Sequence, residues 1–355
     1  MKDPILLNKM WKEVEAGRVT ASSNGSLTLF KYTQETHIKD LWNDVNRQAR
    51  GIIFATDGTI VARPFAKFFN LHERPDTHPD ALPWSEGVEI YEKVDGSCGT
   101  GYRKDGRWKL ATPGSMESDQ ALYGSQMLYD YLGFKPRYNL EALPTDCTPV
   151  FEIIYADNRI VVDYGSLEEL VLLAIFEHNG VEWHPRRVDQ IAERCGFRRP
   201  KRYDIDLRGE IPFEDNSEGY VCRFGNGFRV KVKSPTYLRI HRLLNHLSPK
   251  GVVELIRGHE YRSTVEQLPK ELAKDFDDVR AHVQGMFNTI LADAHGYLNQ
   301  MLEGVGTNVH RKLYAEWIQA KVPNAECGFV FALLDGKDID DKVWKLVLEK
   351  VQNKV

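Results

Sequence analysis

Residues 92–97 read Glu-Lys-Val-Asp-Gly-Ser (EKVDGS), inside the longer run GVEIYEKVDGSCGTGYR at 87–103. Val88 and Ile90 alternate with polar residues before the Gly-Ser pair, and Tyr102 continues an apolar pattern after it. That alternation predicts two strands joined through or near the glycines. A lysine and an aspartate two apart in so apolar a stretch admit two readings. Lys93 is either a solvated charge at a strand end or a nucleophile. The tetrapeptide alone does not choose, since K-x-D-G turns up by chance in roughly one chain in ten of this length.

The flanking sequence sets the fold class. Short β-like runs recur through the first two thirds: SLTLFKY, RGIIFATDGTIVARPF, GVEIYEKV, CGTGYRKDGRWKLAT, PVFEIIYADNRIVVDY, LVLLAIFEHNG and GYVCRFGNGFRVKVKS. Two of them carry Asp-Gly between alternating segments, the signal of a hairpin. The strands do not alternate with helices, so the expectation is α+β with antiparallel sheets rather than a doubly wound sheet. After Ser234-Pro235 the period becomes helical. Tyr237, Ile240, Leu243, Leu244 and Leu247 share one face, and Ser248-Pro249 reads as an N-cap followed by proline in the first turn. Leu272, Phe276, Val279, Val283, Met286, Phe287 and Ile290 continue at three- and four-residue spacing, and two further helices are expected around 311–321 and 340–351. The expected domains are a strand-rich 1–240 and an all-helical 241–355, joined without a flexible linker.

Composition bounds the partners. With 355 residues, 42% hydrophobic and 28% charged, the chain has the profile of a soluble globular protein. A net charge of −4 does not announce a nucleic acid, so any such site would be a local basic patch. No apolar run is long enough for a bilayer, and charges interrupt the opening residues where a signal peptide would be continuous. Cys98, Cys147, Cys195, Cys222 and Cys327 are scattered and form no CxxC, which points to a reducing, cytoplasmic compartment and against a zinc knuckle.

A lysine that attacks a phosphoanhydride must be neutral, and its ordinary pKa is about 10.4, so nearby positive charge has to lower it. The leaving group needs cations and Mg²⁺ or Mn²⁺. Candidates for each part exist. Glu152 interrupts the apolar run VFEIIY, where an unpaired carboxylate would be costly. Glu218 opens EGYVCRF. Lys231 and Lys233 alternate in FRVKVKS and so share one strand face, a repulsive arrangement that a polyanion between them would relieve. Taken singly, each reads as ordinary surface; the ordered set shifts the balance.

That set, K-x-D-G, then an apolar strand with Glu, then Glu-Gly, then K-x-K, resembles the covalent nucleotidyltransferase superfamily of ATP-dependent ligases and capping enzymes. Within it the chain is most similar to the RNA ligase 1 type of T-even phages, the tRNA-repair ligases. ARGIIF (49–54), ARPFAKFFNLHE (62–73) and NRIVVDY (158–164) extend the likeness, which covers about residues 27–245. The resemblance implies an ATP-dependent RNA ligase and assigns roles. Lys93 would be the nucleophile that carries AMP. Asp95 and Gly96 would shape its loop, with Asp95 near the nucleotide or the lysine. Glu152 would bind ribose and Glu218 would support a metal ion. Lys231 and Lys233 would hold the phosphates and the leaving pyrophosphate. Arg50 and Lys67 would contact phosphates or ribose, and Phe176 would pack on adenine. One departure stands out: where the phage family carries a basic residue after the nucleophile, this chain reads Ala111-Thr112-Pro113-Gly114-Ser115.

The resemblance implies a partner RNA with 5′-phosphate and 3′-hydroxyl ends, tRNA among them in the family's manner, acted on by a monomer in the cytoplasm (a host's, if the gene is a phage's). HPRRVDQIAERCGFRRPKR (184–202) holds seven cations and two acidic residues and is a candidate backbone contact. A DNA ligase or GTP-dependent capping enzyme is the nearest rival, disfavoured because helical period replaces the expected barrel after the K-x-K strand. A non-catalytic RNA-end-binding protein is the rival of another class. His241 and His246 are five apart, not the four-residue spacing of a helical zinc pair.

Overall fold

The computed structural model describes residues 1–129 and 136–352. It divides into two compact units, Met1–Tyr237 and Leu238–Val355. The division falls three residues before the boundary expected from the change of period.

The first unit opens with α1 (Pro4–Glu15) and a meander of β1 (Val19–Asn24), β2 (Leu27–Tyr32), β3 (Arg50–Ala55) and β4 (Ile60–Ala62), with the short α2 (Gln34–Ile38) after β2. The Asp3 carboxylate accepts the Leu6 N–H at 2.9 Å and Pro4 takes the first turn, so α1 starts where its unpaired donors are satisfied. Its Leu6 and Met10 bury against Phe30, Ile52 and Phe54 of the meander.

The chain continues through β5 (Phe69–Asn70), β6 (Val88–Glu92), β7 (Ser97–Lys104), β8 (Arg107–Ala111), α3 (Asp119–Met127), β9 (Cys147–Ile154), β10 (Glu169–Glu177), α4 (Pro185–Cys195), β11 (Arg202–Tyr203), β12 (Gly219–Phe224) and β13 (Arg229–Lys233). These strands make two sheets, ordered β10-β9-β7-β8 and β11-β6-β12-β13-β5. All pairings among the described strands are antiparallel except β13 with β5, so the class is α+β, with antiparallel sheets as the sequence predicted. Both Asp-Gly hairpins are present, joining β3 to β4 and β7 to β8. Asp105 and Gly106 both adopt positive φ (53° and 77°), the geometry that lets a two-residue turn follow the strand twist.

The two strands expected around EKVDGS are present, joined through Lys93–Gly96, but β6 belongs to one sheet and β7 to the other, so the joint is a crossing between sheets. One expectation is corrected. The run PVFEIIYADNRIVVDY is a strand only as far as Ile154. Val161 and Val162 give their N–H groups to the Asp95 carboxylate, both at 2.9 Å, instead of to a neighbouring strand.

The second unit is helical among its described residues. After α5 (Pro235–Leu244), within which the division falls, come α6 (Pro249–Arg257), α7 (Tyr261–Val265), α8 (Lys270–Val305), α9 (Arg311–Lys321), α10 (Cys327–Leu334) and α11 (Asp340–Gln352). Leu272, Phe276, Val283, Phe287 and Ile290 form the buried stripe of the 36-residue α8. Ser248 caps α6, its hydroxyl accepting the Gly251 N–H at 3.0 Å. Ser248→Ala is expected to cost about 1 kcal/mol, read as a lower urea midpoint for this unit at unchanged slope; an unchanged midpoint would show that the cap contributes nothing.

Candidate functional site

Strand parity aims the charged residues. In β12 and β13, Tyr220, Cys222, Phe224, Val230 and Val232 bury on one face in a shared core. Gly219, Val221, Lys231 and Lys233 therefore point to the other, with Lys231 opposite Val221 and Lys233 opposite Gly219. In β9, Phe151 and Ile153 face the core under α3 and α4, which turns Glu152 the other way.

The crossing Lys93–Gly96 runs between these two faces, and glycine makes the close approach possible. A Cβ on Gly96 would sit 2.6 Å from the Ile153 carbonyl oxygen and 3.2 Å from Glu152 Cγ. Gly219, at φ +127°, accepts the Lys93 N–H at 2.9 Å, and a Cβ there would meet the Val232 carbonyl oxygen at 2.1 Å. Backbone packing thus delivers Lys93 to both carboxylates.

Lys93 Nζ lies 2.7 Å from Glu218 Oε2, and Lys233 Nζ lies 2.9 Å from Glu218 Oε1. Glu218 is 3% exposed, so one buried carboxylate bridges two lysines. Burial acts to lower the Lys93 pKa, but the Glu218 and Glu152 charges outweigh it and leave it above the ordinary value. Burial pushes Glu152 up to about 7, against the pull of Lys93. Lys231 is brought down to about 7 by burial first and then by Arg50, Lys93, Lys67 and Lys233. The site holds three carboxyl groups and a surplus of cations within a few residues of one primary amine.

Behind the amine, Asp95 is 3% exposed and fully engaged. Its Oδ2 accepts the Val161 and Val162 N–H groups, its Oδ1 accepts the Tyr237 hydroxyl at 2.8 Å, and its own N–H donates to the Tyr164 hydroxyl at 2.9 Å. Asp95 clamps the crossing to residues 161–164 and to the start of α5.

A cavity of about 550 Å³ opens on Lys93, walled by Arg50, Gly96, Glu152 and Lys231, with Leu173 and Val221 as apolar surfaces. Arg50, Lys93, Gly96, Glu152 and Lys231 thus converge, and Glu218 and Lys233 join them through the ion pairs. Lys67 stands close enough to Arg50 and Lys233 to feel both charges, boxed by the rings of Tyr32, Trp42 and Phe69 at 5.7, 5.4 and 5.2 Å.

Phe176 does not line this cavity; its ring packs edge-on against Phe65 at 5.0 Å. Its partner in β9 is Thr148, on the same face as Glu152 but four residues further along the strand, so Phe176 lies beyond the cavity, while Leu173, at the bulge between Leu172 and Ala174, lines it. Sequence reading also missed Val221, Tyr164 and Tyr237. Val221 was within reach, because it sits two residues from Gly219 on the face of the K-x-K pair. The tyrosines carry no local signal.

The basic run 184–202 is largely spent internally. Arg198 pairs with Glu92 and Glu169, Arg199 and Arg202 with Asp189, and Lys201 with Glu214. Arg187 stacks over Trp183 at 3.3 Å. At the departure from the phage pattern, Thr112 and Ser115 close a tight turn whose Pro113 packs on the Gly51 backbone, and Lys31 of β2 lays its ε-amine against Gly114.

The model of the RNA ligase family matches residues 48–237, more than half of the chain, and the chain belongs to that family. A Thermovibrio ammonificans protein named "Putative RNA ligase" is 31% identical over 57% of this chain and 55% of its own length. The RNA ligase of Rhodothermus phage RM378 is 23% identical over 77% of this chain and 78% of its own. A solved archaeal ATP-dependent RNA ligase superposes with a TM-score of 0.46 at 13% identity, over 79% of each chain. The chain spans about half the length of the first of these relatives, and 54% of RNA ligase 1 from bacteriophage TS2126.

The clamp is testable apart from any activity. Asp95→Ala removes the acceptor of two buried backbone N–H groups and is expected to destabilise the first unit by about 3 kcal/mol, measured by denaturant unfolding. Asp95→Asn, which keeps an oxygen for the amides, should cost clearly less. Equal losses would mean that the hydrogen bonds are not what holds the crossing.

Proposed function

We propose that the chain is an ATP-dependent RNA ligase that joins a 5′-phosphate to a 3′-hydroxyl end through AMP carried first on Lys93 and then on the RNA. The observation that carries this reading is the convergence of Arg50, Lys93, Glu152 and Lys231 on one cavity, with Glu218 paired to Lys93. Its volume of about 550 Å³ suits a nucleotide, with Leu173 and Val221 offered to the base, Glu152 to the ribose and the cations to the phosphates. Among the described residues no three His, Cys, Asp or Glu side chains gather into a metal cage. Magnesium instead commonly takes one or two carboxylates together with substrate phosphates, and Glu218 fits that mode. When bound, the ion supplies charge neutralisation at the phosphates and a positive field at Lys93.

Lys93 first loses a proton, and Glu218 Oε2 at 2.7 Å is in reach to accept it. The free amine attacks the α-phosphorus; a P–N bond forms, the P–O bond to pyrophosphate breaks, and Arg50, Lys231 and Lys233 receive the leaving charge. AMP then passes to the RNA 5′-phosphate, breaking the P–N bond. Attack by the 3′-hydroxyl on that activated phosphate forms the phosphodiester and releases AMP. By this reading the substrate class includes tRNA, the protein works as a cytoplasmic monomer, and the helical unit serves folded RNA by shape.

Incubation with α-³²P-ATP should label the wild-type protein and leave Lys93→Ala unlabelled on a denaturing gel. Label from GTP alone would move the assignment to capping chemistry. No label from either nucleotide, before or after pyrophosphate treatment, would refute the reading.

Lys231 gives the pH dependence a sign. With its pKa brought down to about 7, it carries charge below that pH and loses it above. Affinity for a non-reacting ATP analogue should therefore weaken as pH rises above 7, by up to about tenfold per unit. Lys231→Arg should flatten the fall, as calorimetry at pH 6–9 would show; a wild-type affinity constant over that range would contradict it.

A further inference from the structure

A second cavity, of about 520 Å³, adjoins the first. Phe65, Phe68, Glu182, Arg223 and Arg229 line both. Its own walls add Arg47, Lys67, Phe69 and the β12–β13 turn Gly225-Asn226-Gly227.

The charges of this cavity are not balanced. Glu182 is the single carboxylate among the lining residues, and Arg223 and Arg229 already pair with it. Among the described residues no carboxylate forms an ion pair with Arg47 or Lys67. Yet both stand over the same ring, Arg47 at 5.4 Å and Lys67 at 5.2 Å from the centre of Phe69. Arg47 is held there by hydrogen bonds from Nε and Nη2 to the Lys67 carbonyl oxygen, at 3.4 and 3.3 Å. Lys67 feels the Glu73 charge, which leaves Arg47 as the cation of this cavity with no carboxylate ion pair among the described residues, and a phosphate there would supply the missing charge.

The remaining walls suit a base. Phe68 and Phe228 are half-buried, and Val181, 56% exposed, stands at the rim. Cations beside partly open aromatic and apolar surfaces are how proteins hold unpaired nucleotides, phosphate on the charge and base on the ring.

We propose that this second cavity binds a nucleotide of the single-stranded RNA end being joined, with Arg47 on its phosphate and the rim at Val181 against its base. The proposal rests on the RNA ligase reading and deepens it, because the shared wall puts the strand beside the cavity that opens on Lys93. It assigns a role to Arg47, which has none in the chemistry at Lys93.

The test is binding of a fluorescent single-stranded RNA oligonucleotide by the full chain at several salt concentrations, with AMP labelling measured alongside. Arg47→Ala should weaken RNA binding about tenfold and lower the salt slope by about 0.7, the loss of one phosphate contact on a single strand. Val181→Glu, a change at an exposed position, should also weaken it. Both should keep AMP labelling within twofold of wild type. Arg47→Lys should retain most of the binding, because it keeps the charge while losing the tie to the Lys67 carbonyl. Unchanged RNA affinity and slope in Arg47→Ala and Val181→Glu would overturn the proposal. So would an Arg47→Lys protein as impaired as Arg47→Ala, which would make the arginine a structural tie. Weakened pyrophosphate binding with RNA affinity intact would assign the cavity to the leaving group instead. A wild-type protein that binds RNA but takes no AMP label would refute the ligase reading and leave the cavity assignment standing on its own affinities.

Discussion

One buried carboxylate sets the terms for everything around it. Glu218 bridges Lys93 and Lys233 from a position 3% exposed, and an ion of that kind is tolerated only when its partners are fixed. The fixing is done by backbone. Gly219 receives the Lys93 N–H, Ser234 gives its own N–H to the Glu218 carbonyl, and Gly96 lets the crossing press against β9. Two sheets and a crossing between them exist in this arrangement to bring one amine to one carboxylate.

The same bridge frames the proposed chemistry. A lysine held this way rests as a cation, and a cation does not attack phosphorus. The resting pair therefore protects the amine, and the incoming nucleotide and metal must change the balance before Lys93 can react. The neighbouring groups are tuned in the opposite sense. Lys231 falls to about 7 and Glu152 rises to about 7, so both sit near the pH at which a bound polyanion could decide their charge. Asp95 is also raised, by burial and then by the Glu218 charge, but its acceptor capacity is spent on residues 161 and 162 and on Tyr237, which makes it the anchor of the loop.

Much of this was legible from residue order. Asp105-Gly106 specifies its turn through two positive φ angles, Ser248 its helix cap, and the alternation of Lys231 and Lys233 their shared face. Glu152 in an apolar strand announced a buried partner, and it has one in the field of Lys93. What was not legible depends on contacts distant in sequence. Alternation around EKVDGS gives two strands but not that they lie in different sheets. The apolar run at 158–164 reads as strand because nothing local reveals that Asp95 takes its amides. Phe176 was misplaced because it pairs with Thr148, four residues along β9 from Glu152, and the order of leucines and valines does not show how far along the sheet a strand residue sits. The basic run 184–202 shows the limit of counting charge, since its neutralising partners Glu92, Glu169 and Glu214 lie outside it.

The most direct measurement is a titration of Lys93 by NMR of the protein carrying ¹⁵N at its lysine amines, with Lys93→Arg to assign the signal and Glu218→Gln to remove the bridge. The Lys93 ammonium is expected to titrate above its ordinary value in the wild type and to drop when Glu218 loses its charge. A Lys93 that titrates below the ordinary value in the free wild-type protein, or one indifferent to Glu218→Gln, would contradict a resting cation locked by that carboxylate.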